Sequence, residues 1–128
     1  MDTSETYIKM CEKAEEIQKS QMLGWCSGDF MYDGKRIVVW HRECGLLEEE
    51  ELGELRVWLP RQDQLQEMIG DFQQCVDKMV FWCEEGKARI TFDKMSYTFT
   101  SMEQLWLALV MFERYGKMWS GENWVKEE

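Results

Sequence analysis

Apolar and polar positions follow two periods along this chain, and the switch from one period to the other marks out its elements. Between Ser4 and Gln21, Tyr7, Met10, Cys11, Ala14 and Ile17 recur at helical spacing while Lys9, Glu12, Lys13, Glu16 and Lys19 fill the other arc, which predicts a one-sided surface helix. Ser4 is placed to cap its first turn, Glu15 pairs forward with Lys19, and the helix is expected to end near Gly24. Two β-branched and aromatic runs, Asp29 to Tyr32 and Lys35 to His41, flank Asp33-Gly34 and predict a β-hairpin. An acidic run, Glu48 to Glu51, precedes the alternation Leu55-Arg56-Val57-Trp58-Leu59, which predicts a third strand ended by Pro60.

Beyond Pro60, Leu65, Met68, Ile69, Phe72, Cys75, Val76, Met79, Trp82 and Cys83 share one face opposite Asp71, Gln74, Asp77 and Lys78. That periodicity predicts a long helix from about Gln62 to Glu84, weakened at Gly70 by roughly 1 kcal/mol relative to Ala and stopped at Gly86. Short alternating runs, Ala88 to Phe92 and Ser96 to Phe99, predict a second hairpin around Asp93-Lys94-Met95. A last helix begins at Ser101, with Gln104 as capping-box partner, and ends at Gly116. Its residues Met102 and Leu105 to Phe112 surround the axis, so it must be covered on more than one side. No element is assigned to the tail carrying Trp119 and Trp124. The expected fold class is α+β, a single domain over 1–128 in which a small antiparallel sheet (two hairpins plus a strand) packs against two to three helices.

Composition narrows the function classes. A chain of 128 residues with 45% apolar residues and seven Trp is long enough for one core. Fifteen Lys and Arg against 25 Asp and Glu give a net charge of −10, which disfavours direct nucleic-acid binding and anionic membranes. No apolar run approaches the roughly 20 residues that span a bilayer, and Met1 to Glu5 lacks a basic stretch followed by an apolar segment, so a cytoplasmic protein is expected. Five Cys, an odd number without framework spacing, read as reduced thiols.

Three segments carry a resemblance: Tyr7-Ile8-Lys9-Met10-Cys11-Glu12-Lys13-Ala14-Glu15-Glu16-Ile17-Gln18, Trp58-Leu59-Pro60-Arg61-Gln62-Asp63-Gln64-Leu65-Gln66-Glu67-Met68 and Thr100-Ser101-Met102-Glu103-Gln104-Leu105-Trp106-Leu107-Ala108. They resemble segments of small uncharacterised proteins of phages and prophages in Gram-positive (Firmicutes) bacteria. The resemblance implies an accessory product of a mobile element acting inside a bacterial cell, and it implies no catalytic residues.

Candidate chemistry is sparse. His41, Cys44 and Cys26 include zinc-ligand types but lack a fourth ligand and any Cys-x-x-Cys pair, so no metal is expected and His41 reads as a polar strand-end residue. A Cys nucleophile served by His41 lacks an orienting partner, so no catalytic residue is assigned. The contiguous Glu48 to Glu51 lack the alternating spacing and turn glycine of a calcium loop, and Gly24, Gly28 and Gly34 make no phosphate cradle, so no cofactor is expected. Arg61, Gln62 and Asp63 stand where a helix begins and free N–H groups favour an anion, either a small recognition site or a plain capped start.

These features favour a non-enzymatic interaction protein with an unidentified protein partner. The alternatives are an acidic mimic of nucleic acid that inhibits a host DNA-binding protein, and a small enzyme with an unfamiliar site. Because Leu107, Val110 and Met111 lie off the Leu105, Leu109, Phe112 stripe, some of them are expected to stay uncovered. A homodimer through this helix, or through the tail with Trp119 and Trp124, is then favoured over a monomer. The other arrangement has the tail folding back over the helix. The acidic run is expected to be dispensable: replacing Glu48 to Glu51 together with Ser should leave the unfolding free energy equal or slightly raised, each surface change being worth less than about 0.5 kcal/mol. A large loss of stability in urea titration would show that the run is packed or holds a ligand.

Overall fold

A computed structural model describes residues 1–21, 26–40, 56–84, 89–92 and 95–126. His41, Cys44, Gly24, Gly86 and the acidic run Glu48 to Glu51 lie outside the described residues. The class is α+β, as the periodicities imply, and the chain divides into two compact units, Thr3–Arg61 and Met1–Asp2 with Gln62–Glu128.

The first unit holds α1 (Glu5–Lys13), α2 (Glu15–Ser20), β1 (Phe30–Tyr32), β2 (Ile37–Val39) and β3 (Val57–Leu59). Ser4 caps α1 as expected, its Oγ accepting from Tyr7 N at 3.2 Å. Tyr7, Met10, Cys11, Ala14 and Ile17 are all fully buried, on the face their spacing implies, but that face is carried by two short helices. Ala14 leaves helical geometry at φ −85°, ψ 71°. The side chain of Gln18 explains the break. Its Nε2 donates to Cys11 O at 3.0 Å and to Trp58 O at 2.9 Å, and its Oε1 accepts from Trp58 N at 2.8 Å.

The strands form one antiparallel sheet in the order β2-β1-β3, with Met31 opposite both Val38 and Trp58. Ladder bonds alternate in direction along an antiparallel strand, which puts the N–H and C=O of Trp58 on the side of β3 away from β1, where the Gln18 amide takes both. The expected two-residue turn is a four-residue loop, because Tyr32 pairs with Ile37. Buried Asp33 fixes it by accepting from Lys35 N at 2.8 Å and Arg36 N at 2.9 Å. The phenol of Tyr7 donates to Pro60 O at 2.6 Å and ties α1 to the end of β3.

The second unit holds α3 (Gln62–Ile69), α4 (Phe72–Glu84), β4 (Arg89–Phe92), β5 (Met95–Thr98), α5 (Met102–Tyr115), β6 (Lys117–Trp119) and β7 (Trp124–Lys126). The long helix expected from Gln62 to Glu84 is two helices. Gly70 stands at φ +148°, a conformation that a side chain disfavours, and a Cβ there would lie 1.9 Å from Gln74 Oε1. Asp71 then starts α4 afresh: its Oδ1 accepts from Gln74 N at 2.9 Å while Gln74 Oε1 accepts from Asp71 N at 3.2 Å. This reciprocal box resets the phase of everything after it.

β4 pairs with β5 in the expected hairpin, but Met95, expected in the turn, is the first residue of β5 and stands opposite Phe92, and the pair forms a two-stranded sheet of its own rather than part of one sheet with β1–β3. α5 runs from its Ser101 cap, where Oγ accepts from Gln104 N at 3.1 Å, to Gly116 in left-handed geometry at φ 65°. Gln104 is fully buried; its Oε1 accepts from Thr100 N at 3.2 Å and its Nε2 donates to Asp2 Oδ2 at 2.9 Å. The unassigned tail is a third hairpin, β6–β7, with Trp119 opposite Trp124. Its turn is organised by Ser120, whose Oγ accepts from Asn123 N at 3.1 Å.

A candidate interaction surface on the fourth helix

α5 is not the uncovered surface. Leu107, Val110 and Met111 are fully buried within one chain, because α3 packs along one side of α5 and β6 along another. Trp119 is fully buried as well, and its ring lies 5.1 Å from that of half-buried Trp124. The tail therefore folds back, and the expectation of a dimer through Leu107, Val110, Met111 or Trp119 loses its structural ground. A helix apolar on all sides is satisfied by two neighbours of its own unit.

The anion site expected at Arg61, Gln62 and Asp63 is likewise not assembled as a free cation beside a helix start. The guanidinium of Arg61 donates to Gly28 O at 2.6 Å and lies 3.8 Å from Asp29 Oδ1. Asp29 is buried, and its Oδ2 also accepts from Cys26 N and Gln21 Nε2, both at 2.8 Å. Arg61 thus neutralises a buried loop carboxylate in the first unit. Gln62 is half-buried, and exposed Asp63 sits in the first turn of α3, where the helix dipole favours its charge.

Among the described residues, no group of three or more His, Cys, Asp or Glu side chains is placed to hold a metal ion. Cys26 is exposed and Cys75 is buried. Burial pushes the Cys75 thiol above its ordinary value of 9.0, and the negative charge of Asp71 pushes it the same way, while a backbone hydrogen bond at Gly70 opposes both. Its Sγ lies 3.2 Å from Gln66 O, so the thiol bridges the break between α3 and α4. A raised acid pKa favours the folded state below about pH 9, and that contribution disappears as the pH climbs through the folded-state value. We therefore expect iodoacetamide at pH 8 to label Cys26 far faster than Cys75, and the alkaline fall in stability to be shallower in Cys75→Ala than in the wild type. Equal labelling rates by mass spectrometry would contradict the buried placement.

Among the described residues, four of the seven exposed large apolar side chains lie on α4. Phe72 is 83% exposed, Val80 50% and Val76 41%, whereas Cys75 and Trp82 are buried and Met79 is half-buried. Positions four apart advance only about 40° around a helix, so Phe72, Val76 and Val80 form one continuous ridge roughly 12 Å long. Phe81, 62% exposed, projects from another side. The inner side of α4 is held by Trp82, whose ring lies 6.3 Å from that of Phe99 and 6.5 Å from that of Phe112. Lys78 Nζ adds an ion pair to Glu113 at 2.9 Å. The ridge is thus mounted on a fixed element.

The sequence pattern put Phe72 and Val76 on the buried face and left Val80 and Phe81 out. The missed signal was local: Asp71-x-x-Gln74 directly after a glycine is a helix start, and a restart at Asp71 turns the next residues away from the stripe of α3. No described helix is long and apolar enough to cross a membrane. Comparison with protein-family models, with curated proteins and with solved structures gives no match.

Proposed function

We propose that this protein acts without catalysis, by binding another protein through the Phe72, Val76, Val80 ridge of α4. One observation carries the reading: a large aromatic and two β-branched residues in register on a helix stay in water although the same unit fully buries Leu107, Leu109, Val110 and Met111 of α5. Fully burying such side chains is worth about 1.5–3 kcal/mol each, so covering the ridge supplies a substantial part of a binding free energy. The sequence resemblance fits an accessory factor of a phage or prophage that engages a host or phage protein.

The test is site-specific cross-linking in the native host. A photoreactive benzoylphenylalanine at position 72 is expected to form a covalent adduct with one partner. The double substitution Val76→Lys, Val80→Lys should abolish that adduct while leaving the circular-dichroism spectrum and melting midpoint unchanged. An adduct indifferent to the double substitution, or none at all, would remove the reading.

A further inference from the structure

Building on the reading of α4 as a binding surface, we infer that its occupant is a basic amphipathic helix of the partner protein. The exposed residues Phe72, Val76 and Val80 are spaced as a single row of positions four apart. Such a row is the ridge that slots into the groove between rows on another helix, the commonest way in which two helices cross. An extended peptide has no comparable foothold, because strand addition needs unpaired backbone N–H and C=O groups and those of a helix interior are already paired with one another.

Charge sets the second half of the match. Asp71, Gln73 and Asp77 are exposed beside the ridge, and Asp77 Oδ1 accepts from Gln73 Nε2 at 3.1 Å, which holds its carboxylate along that flank. Lys78, the one basic residue in the sequence of α4, is engaged by Glu113 at 2.9 Å. With a net charge of −10 on the whole chain, the ridge has an acidic border and an acidic background. A partner helix with Lys or Arg flanking its apolar face gains at both. A second copy of this chain does not: it brings Asp77 toward Asp77 and another −10.

Selection from a displayed library of helical 18-residue peptides, with the full chain as bait and Val76→Lys as counter-bait, tests the assignment. Recovered peptides are expected to carry apolar residues at helical spacing over two turns with net positive charge. Their affinity should fall at least about tenfold with Val76→Lys, and severalfold as salt rises from about 50 to 500 mM. Neutral or acidic winners, proline-rich or alternating winners, or no winner that distinguishes the two baits would overturn it. So would a wild-type dimer in sedimentation equilibrium that Val76→Lys converts to a folded monomer, since the occupant would then be a second copy. If the position-72 cross-link to a natural partner persists in any of these cases, only the identity of the occupant falls and the binding surface stands.

Discussion

Trp119→Ala is expected to lower the unfolding free energy by about 3–5 kcal/mol, the usual range for removing a large buried aromatic, and the melting midpoint by roughly 10–20 °C. Trp119 is fully buried on β6, which packs on α5, and its ring meets Trp124 at a tilt of 53°. Its indole Nε1 has no hydrogen-bond partner among the described residues. Trp119→Phe should therefore lose much less, about 1–2 kcal/mol, since it keeps an aromatic ring and removes a buried donor that nothing accepts. Chemical denaturation of the three proteins checks the order. A loss below about 1 kcal/mol for Trp119→Ala, or a wild-type dimer that this change dissolves without unfolding, would mean that the tail is not part of the monomer core.

The second large effect is expected at Gln18. One amide there satisfies the N–H and C=O of Trp58 and the C=O of Cys11, all at 2.8–3.0 Å. Gln18→Ala leaves the N–H and C=O of Trp58 without that partner on a strand whose three residues are all buried, while Cys11 O keeps Ala14 N at 3.1 Å, and buried unsatisfied groups cost about 1–3 kcal/mol each. A total loss of about 2–4 kcal/mol is expected. Gln18→Glu keeps the shape but cannot donate and sets a carboxylate against two carbonyl oxygens. It should be at least as destabilising at pH 7 and partly recover near pH 4, where a carboxyl of ordinary pKa about 4.3 takes up a proton. Denaturant titrations at the two pH values decide; a Gln18→Glu protein as stable as the wild type at pH 7 would rule out the donor role.

Elements with their own local signals were legible in the sequence. Ser101, Gln104 and Gly116 bracket α5 because caps and a left-handed stop are local chemistry, and the hairpin β4–β5 follows from two alternating runs. The buried face of α1 and α2 was legible for the same reason. What escaped was set by contacts distant in sequence or by signals in competition. Nothing near Ala14 announces that a glutamine four residues later will bind a strand 40 residues away. At Gly70 two signals competed, an unbroken apolar period and a cap sequence, and the cap won. The exposed ridge of α4 was lost with it, because the period assigned Phe72 and Val76 to the core. Leu107, Val110 and Met111 failed in the opposite direction: with no element assigned to the tail, nothing remained to cover them.

The amide of Gln18 has a consequence for the protein's life in concentrated solution. A strand at the margin of a sheet is a template on which the strand of another molecule can be laid down, and β3 combines apolar side chains with such a margin. By occupying both backbone groups of Trp58, Gln18 ends the ladder with a side chain that offers no further backbone to extend it. Loss of this plug opens a seed for polymerisation, so Gln18→Ala should form fibrillar or amorphous aggregate at temperatures where Trp119→Ala, the more weakened of the two, stays clear.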